Sequence, residues 1–472
     1  MQKKLILYLS YILFFSVQAC NADQWPALRA TNSAQGSIVY NGEFPLQEWH
    51  YIYKSGRRYK QGLAVWASPA LAVVAGHPMA FIGGYDQTMH ALDLVTKKAV
   101  WRKICNAEIG SAPVVGSING FDVVFWGAND RSVYAFSAFD GKKLWTRELI
   151  EPSTTLGQVE VTSPYLTGTR LYISCFAYDK SLSRNEQSGL LFCLDKHTGK
   201  ILWRIKAGSG FLSAPVGFVI DGAQYVAVAA RRGLVQCFSV SGDRPEKVWE
   251  FQMPHEVLGS PAVTMETNPP MMYLGSKYGN LIAIDAVTGT EVWQRMAGNW
   301  IDNTACVGML DGKPAVFVGS HDYRVYAFDA QTGKELWNRA LGGEIYSAPS
   351  FFNIFDKPYV AVASLDNHLY VLDAKSGAVQ TSYFTGQPIW DKVSKGETIW
   401  GSPVTISAGS NTVLIHGSFN DVVYTLPLTG ECSLTAMARS VGSLWWSLLT
   451  VFVVFTGIVL PVCILIPLKK SN

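Results

Sequence analysis

The amino-acid sequence predicts an all-β fold: an eight-bladed β-propeller of four-stranded antiparallel blades, followed by one C-terminal transmembrane helix. Three observations predict it. A unit of about 44 residues recurs along most of the chain, each unit alternates apolar and polar residues with a period of two, and a run of 28 residues near the C terminus carries no charge. Repeats of this length made of short strands are typical of propellers, whose blades contain four strands each.

The composition is that of a folded protein without a nucleic-acid surface. Of the 472 residues, 49% are hydrophobic and 16% are charged, which excludes a disordered chain. Long apolar runs occur only at the two ends, which excludes a polytopic membrane protein. Residues 20–440 hold 35 basic and 36 acidic side chains, because Lys3, Lys4, Lys469 and Lys470 lie outside them. Since nucleic-acid surfaces need a basic excess, we expect no nucleic-acid partner.

Residues 1–19 have the features of a secretory signal peptide. Two lysines precede a short apolar stretch, and small residues follow it. Cleavage after Ala19 and cleavage after Ala22 both fit the pattern, and lipidation of Cys20 is a further alternative. The prediction places the folded part of the chain outside the cytoplasm.

Residues 441–468 are predicted to form the single transmembrane helix, after a linker over 431–440. The segment is long enough to cross a bilayer, with Trp445 and Trp446 near its start and lysines after its end. Residues 469–472 then form a cytoplasmic tail. We favour the periplasmic side of a bacterial inner membrane for the propeller, since no Asn is followed two positions later by Ser or Thr. The alternative is the lumen of the endoplasmic reticulum, because the two terminal lysines resemble a retrieval signal.

Eight repeat units account for residues 36–430. The clearest copies cover residues 273–293, 317–337 and 362–380, and a Ser-Ala-Pro-like marker precedes the first strand of seven units. The eighth unit stops at Gly430 without an outer strand. The segment around Trp49 resembles that missing strand, so we expect the N-terminal strand to complete blade 8 and close the ring, which removes an exposed sheet edge.

The motif from Ala327 through Thr332-Gly333-Lys334 to Trp337 resembles the tryptophan-docking repeat of PQQ-type quinoprotein propellers. The resemblance covers about residues 36–430 and implies that a tryptophan of each outer strand packs between blades; Thr381 replaces it in unit seven. The predicted docking residues are Trp49, Trp101, Trp145, Trp203, Trp249, Trp293 and Trp337. Some members of this family are alcohol or glucose dehydrogenases that hold pyrroloquinoline quinone. Others, such as the periplasmic propeller lipoprotein of the outer-membrane barrel assembly machine, bind only proteins.

The sequence favours a non-catalytic protein-binding scaffold or adaptor. It has no adjacent cysteines, no phosphate-binding loop, no nucleophile elbow and no metal-spaced histidine pair, so we assign no catalytic, cofactor-binding or metal residue and expect no cofactor. The alternative is a dehydrogenase that uses pyrroloquinoline quinone with Ca²⁺ and passes electrons to membrane quinones. A ligand sensor is a third class. His90 stands where other units carry tyrosine, and Cys193 and Cys237 stand where others carry alanine, which favours structural roles.

Loop residues suggest a binding face at one mouth of the channel. Counted back from the Ser-x-Pro proline or its equivalent, five acids fall at similar offsets, and three basic residues of units four and five lie beside them. This candidate face comprises Glu108, Glu160, Glu256, Asp302, Glu344, Arg231, Arg232 and Lys277. A cluster of acids focuses the field on a cation or a basic protein segment, whereas the alternative is a set of solvated loop acids.

Overall fold

The structure is a computed structural model of the 472-residue chain. It describes residues 37–39, 49–52, 67–151, 156–181, 188–209, 213–354, 356–384, 402–408, 411–417 and 422–428, together with four two-residue strands after residue 449. The described chain is an all-β propeller of four-stranded antiparallel blades, which confirms the all-β class, the propeller and the four-stranded blades of the prediction.

Seven blades are each built from consecutive strands. Blade 1 contains β3 (Ala70–Val74), β4 (His77–Gly83), β5 (Thr88–Asp93) and β6 (Lys98–Ile104), and blade 2 contains β7 (Val114–Ile118), β8 (Phe121–Ala128), β9 (Ser132–Ser137) and β10 (Lys143–Glu148). Blade 3 contains β11 (Leu156–Val161), β12 (Tyr165–Thr167), β13 (Arg170–Asp179), β14 (Ser188–Asp195) and β15 (Ile201–Ser209), where β11 and β12 both pair with β13. Blade 4 contains β16 (Val216–Ile220), β17 (Ala223–Ala229), β18 (Leu234–Ser239) and β19 (Glu246–Gln252).

The remaining blades repeat this order with short, regular strands. Blade 5 contains β20 (Ala262–Thr264), β21 (Met271–Gly275), β22 (Asn280–Asp285) and β23 (Glu291–Met296), and blade 6 contains β24 (Cys306–Leu310), β25 (Lys313–Gly319), β26 (Arg324–Asp329) and β27 (Glu335–Ala340). Blade 7 contains β28 (Ser350–Ile354), β29 (Lys357–Ala363), β30 (His368–Asp373) and β31 (Val379–Phe384).

A further sheet, here the closing sheet, joins the two ends of the propeller sequence. Its strands are β1 (Ser37–Val39), β32 (Val404–Ala408), β33 (Asn411–Gly417), β34 (Val422–Leu428) and β2 (Trp49–Ile52), in that order. β2 pairs antiparallel with β34 and places Trp49 opposite Thr425, the register that Trp337 and Ala327 adopt in blade 6. β1 pairs parallel with β32 at the other edge, which the sequence did not predict. The side chain of Trp49 lies outside the described residues.

The first strands of neighbouring sheets lie against one another around the whole assembly. These contacts run from β3 to β7, β12, β16, β20, β24, β28 and β32, and from β32 back to β3. The first strand is therefore the innermost one, and each blade has two ends. We call the end with the loops into the first strands and the turns between second and third strands the mouth face. The opposite end, with the first-to-second and third-to-fourth turns, is the basal face.

The docking tryptophans connect each outer strand to the next blade. Trp101, Trp145, Trp249, Trp293 and Trp337 are buried, and each indole N–H donates a hydrogen bond of 2.8–3.0 Å to a backbone carbonyl after the third strand of the following blade. In that turn the indole also packs on a glycine with positive φ, such as Gly333 (φ 67°), where a Cβ atom would lie 2.6 Å from Trp293. Trp203 is buried too, but its Nε1 has no hydrogen-bond partner within the described chain.

The predicted terminal segments fall largely outside the described residues. These are the signal peptide (1–19), the linker (431–440) and the tail (469–472). Within 441–468 the structure describes only β35 (Thr450–Val451), β36 (Val454–Phe455), β37 (Ile458–Val459) and β38 (Val462–Cys463). Among the described residues, no helix has the length and apolar character needed to span a bilayer.

Candidate functional site

The mouth face is held together by backbone hydrogen bonds between adjacent blades. The N–H of Ile109, in the loop entering blade 2, donates to the carbonyl of Gly84 in blade 1. The carbonyl of the preceding residue, Glu108, accepts from the N–H of Asn129 in blade 2. Glu256 and Glu344 accept in the same way from Lys277 and Leu365. Each of these glutamates is therefore fixed at a seam between two blades.

Packing shows which mouth residues are equivalent. At four seams a buried aliphatic residue fills the space above a glycine at or beside the end of a second strand, and in three of them it follows Glu108, Glu160 or Glu344. A Cβ atom on that glycine would lie 2.2–2.4 Å from it in the pairs Gly83–Ile109, Gly127–Val161, Gly275–Ile301 and Gly319–Ile345. By this criterion Glu160, which lies in β11, matches Glu108, although it stands one residue nearer to the following proline. Trp300, and not Asp302, holds the matching position in blade 6.

Asp302 is consequently not a member of the predicted acidic ring. Its side chain is buried, and its Oδ1 lies 2.6 Å from Nε2 of His321, which is also buried. The His321 ring packs against Tyr346, with ring centroids 3.8 Å apart. Burial, with a hydrogen bond to Glu344 as the next cause, raises the pKa of the Tyr346 hydroxyl. These residues form a compact polar core between blades 6 and 7.

The basic residues predicted beside the acids neutralise one of them. Nζ of Lys277 lies 2.9 Å, and Nε of Arg231 3.6 Å, from Oε2 of Glu256. The hydrogen bond from Lys277 is the main cause that lowers the pKa of the Glu256 carboxyl. Nζ of Lys277 also lies 4.7 Å from the ring centroid of Trp300. Arg232 is exposed next to this cluster. The separate basic sector expected from the sequence is thus an ion-paired part of the mouth.

The turns between second and third strands contain a further set of carboxylates. The hydroxyls of Tyr134, Tyr326 and Tyr370 donate hydrogen bonds to Asp130, Asp322 and Asp366 respectively. Burial and the bond to Asp322 raise the pKa of Tyr326 to about 12. His90 replaces the tyrosine in blade 1, where its Nε2 lies 3.0 Å from Asp86; burial is the main cause that lowers its pKa. The structural role predicted for His90 agrees with this contact.

Two exposed tyrosines are features that sequence analysis missed. Tyr278 and Tyr323 lie in turns of blades 5 and 6 with φ angles of 75° and 70° and side chains 65% and 49% exposed. A bulky residue rarely adopts positive φ, because its Cβ crowds the backbone, so turn geometry alone does not account for tyrosine here. Tyr278 stands at the turn position that Asp322 occupies in blade 6. Together with the partly exposed Trp300, these rings give the mouth face an aromatic surface.

The described residues do not supply the oxygen-ligand Ca²⁺ site that a quinoprotein dehydrogenase needs. Nowhere in the described ranges do three or more His, Cys, Asp or Glu side chains meet in a way that a metal could use. Asp302, a buried acid of the mouth, pairs with His321.

A family model for outer membrane protein assembly factor BamB, a PQQ-like repeat propeller, matches residues 49–176, 176–299 and 279–440. The chain belongs to this BamB family. The match spans most of the propeller sequence and confirms the resemblance drawn from the tryptophan-docking motif.

Individual relatives are distant. This BamB-family chain is 24% identical over 166 residues to outer membrane protein assembly factor BamB of Shewanella oneidensis, a match that spans 35% of the chain and 39% of that relative. The crystal structure of BamB from Moraxella catarrhalis superposes with a TM-score of 0.53 at 17% identity, over 80% of this chain and 95% of that one. Quinohemoprotein alcohol dehydrogenase from Comamonas testosteroni superposes with a TM-score of 0.57 at 12% identity, over 87% and 78%. At these identities the structural likeness shows the fold alone.

Proposed function

We propose that this chain is a membrane-anchored, extracytoplasmic propeller that acts as a non-catalytic scaffold and binds a protein partner through its mouth face. The observation that carries the proposal is the aromatic surface of Tyr278, Trp300 and Tyr323 beside the glutamates at the blade seams. Tyrosine and tryptophan are enriched in the regions of protein interfaces that contribute most to affinity. Membership of a family described as an assembly factor supports the same function.

Two structural proposals belong to this function. The closing sheet acts as the eighth blade, supported by the contacts of β32 with both β28 and β3. The apolar segment 441–468 anchors the propeller to the membrane, supported by its length and lack of charge. The periplasmic side of a bacterial inner membrane remains our proposed location.

Site-specific photo-crosslinking tests the binding face. A photoreactive phenylalanine analogue at Tyr323 keeps an aromatic side chain on the mouth face, and the same analogue at Lys313 of blade 6 is the matched control on the basal face. In native membranes we expect a discrete crosslinked protein from position 323 and none from position 313. Replacement of Glu108, Glu160 and Glu344 by Gln in the Tyr323 variant should weaken that crosslink if the partner segment is basic. Equal crosslinking from both positions would contradict the proposal.

The dehydrogenase alternative is tested by thermal unfolding with pyrroloquinoline quinone and Ca²⁺. A ligand present at a hundred times its dissociation constant stabilises a protein by about 2.7 kcal/mol. We expect no shift in the unfolding temperature. A saturable shift would favour the dehydrogenase and would direct the search to alcohol or sugar substrates.

A further inference from the structure

The basal face of blades 1–3 combines exposed aromatic rings with lysines. Phe121 begins the second strand of blade 2, and its side chain is 75% exposed. Phe139 lies in the turn after the third strand of the same blade and is 61% exposed. The N–H of Ala138 donates to the carbonyl of Asp122, so the two phenylalanines flank one backbone hydrogen bond at the end of the blade.

The repeat shows that these phenylalanines are not required by the fold. The residue equivalent to Phe121 is His77 in blade 1, Lys313 in blade 6 and Lys357 in blade 7. The residue equivalent to Phe139, two positions after the third strand, is Gln331 in blade 6. Since the same turns form with polar residues, the exposed rings of blade 2 serve no evident packing role.

The charge of the basal face is divided into two sectors. The turns after the third strands of blades 1–3 (residues 93–98, 137–143 and 195–200) contain six lysines and three aspartates. The matching turns of blades 4–6 (239–246, 285–291 and 329–335) contain two basic and six acidic residues. Aspartates of both sectors bond to their own turns: Asp93 accepts the N–H groups of Val95 and Thr96, and Asp329 accepts that of Thr332.

The chain leaves the propeller on this same face. The third strand of the closing sheet, β34, ends at Leu428 on the basal face, where Leu428 pairs with Thr412 beside the first-to-second turn. Twelve residues separate Leu428 from the apolar segment that begins at Val441. Fully extended, they reach about 40 Å. A membrane that holds this segment therefore lies within reach of the basal face.

We infer that the basal sector formed by Phe121, Phe139 and the lysines of blades 1–3 docks on the surface of an anionic lipid bilayer. The inference rests on the membrane anchor of the proposed function. Aromatic rings bury into the boundary between headgroups and acyl chains, and lysines near an anionic leaflet attract its headgroups. The exposed ammonium groups of this sector belong to Lys98, Lys142, Lys143 and Lys200. Docking would turn the mouth face away from the bilayer and towards its partner.

Lysine footprinting of the full chain in lipid nanodiscs tests the inference. The chain is reconstituted in discs of phosphatidylcholine alone or with 30% phosphatidylglycerol and treated with an amine-reactive acetylating reagent, and acetylation is measured by mass spectrometry. We expect Lys142 and Lys143 to react at least threefold more slowly in the anionic discs than in the neutral ones. Lys334, in the matching turn of blade 6, is the internal control and should react equally in both. The protection should decrease at 0.5 M salt, because salt screens exposed charges.

The role of the phenylalanines is tested by replacing them with residues that occupy the same positions in other blades. The double variant Phe121→His, Phe139→Gln carries the residues found at the same positions in blades 1 and 6, so it should fold and reconstitute like the parent chain. We expect it to lose most of the protection of Lys142 and Lys143. Equal protection in the variant and the parent would overturn the role of the rings.

The possible outcomes distinguish a failure of the membrane docking from a failure of the membrane anchor. A chain retained by both kinds of disc, with Lys142 and Lys334 equally reactive, would overturn the docking and leave the anchor intact. A chain retained by neither disc would overturn both. Protection that needs an added acidic protein, and that also occurs on phosphatidylcholine discs, would assign the sector to a protein instead of lipid and would likewise overturn the docking.

Discussion

The backbone N–H of Ser402 donates a 2.8 Å hydrogen bond to the hydroxyl of Ser68, 334 residues earlier in the chain. Both serines are buried, and they precede the first strands of the closing sheet and of blade 1. The same bond links consecutive blades, as between the N–H of Ala112 and the hydroxyl of Ser163. One type of hydrogen bond therefore joins sequential blades and also the two ends of the described propeller.

Ser68→Ala should destabilise the protein by about 1–2 kcal/mol, because it leaves a buried backbone N–H without an acceptor. Ser163→Ala, which removes the corresponding bond between blades 2 and 3, is the matched control and should have a similar effect. Urea unfolding followed by tryptophan fluorescence measures both. If Ser68→Ala had no effect while Ser163→Ala was destabilising, the ends would not be joined as described.

Trp337→Phe should cost more stability than Trp203→Phe. The indole of Trp337 donates to the carbonyl of Ala374, whereas the corresponding carbonyl for Trp203, that of Val240, accepts a 2.6 Å bond from Arg170 instead. Both substitutions remove similar packing, but only the first removes a hydrogen bond. The difference in unfolding free energy should be about 1 kcal/mol. Equal losses would show that the indole bond contributes nothing to the docking.

Gly275→Ala should destabilise blade 5 by about 1–3 kcal/mol, the usual cost of inserting a methyl group into a packed site. The new Cβ would lie 2.2 Å from Cγ2 of Ile301. Ile301→Ala removes that methyl group, so the double variant should be more stable than the sum of the single losses. A double-mutant cycle measures the coupling free energy between the two positions. Strictly additive losses of stability would show that the strain does not lie between Gly275 and Ile301.

The buried thiols should make the fold sensitive to alkali. Burial raises the pKa of Cys175 and of Cys306 to about 12, from an ordinary value of 9.0. Because the folded-state pKa lies above the unfolded one, the stabilisation is complete below about pH 9 and is lost as the pH rises towards 12. Unfolding midpoints measured from pH 8 to 11 should therefore decrease. Cys306→Ala should reduce this dependence while it leaves the other thiols in place.

Iodoacetamide provides an independent check on the same thiols. The five described cysteines, Cys105, Cys175, Cys193, Cys237 and Cys306, are free and buried. At pH 8 we expect each of them to react at least a hundredfold more slowly in the native protein than in urea. Rapid labelling of native Cys306 would contradict its burial.

Glu256→Gln should change stability by less than about 1 kcal/mol, because exposed ion pairs contribute little. The pKa of the Glu256 carboxyl is lowered chiefly by its bond to Lys277, so its small contribution is present above the ordinary pKa of the group and is lost as the pH falls through the lowered value. The variant should therefore differ from the parent at neutral pH and match it in acid. A larger difference in unfolding free energy between variant and parent in acid than at neutral pH would contradict this pH dependence.

Sequence analysis predicted the structural features that recur in every repeat unit, and it missed those that depend on a single contact. The strands, the docking tryptophans and the β2–β34 pairing follow from spacing, because each unit meets the same neighbours. Counting from the proline position grouped Asp302 with the glutamates, although it stands two residues nearer to that position than Glu108 does; the structural marker is the aliphatic residue packed on a glycine, here Ile301, which follows Trp300. The ion pair between Lys277 and Glu256 joins the second-to-third-strand turn of blade 5 to the loop that enters this blade, and no local pattern encodes it. The turn at Asp322-Tyr323 follows from the repeat, which has Asn367 at the position of Tyr323 in blade 7, but the exposed tyrosine side chain there does not.

The shared closing sheet also has a consequence during synthesis. Trp49 pairs with Thr425, and Ser37 with Thr405, so this sheet forms only after synthesis has added the partners of its N-terminal strands, 376 and 368 residues downstream (425 − 49 and 405 − 37). Contacts of such long sequence separation form late, since the intervening chain must be ordered before they repay its entropy. Blades 1–7 contain only sequence-local pairings and can assemble one after another along the chain. We therefore expect ring closure to be the last step of folding, with the N-terminal strands unpaired until the rest of the propeller has formed.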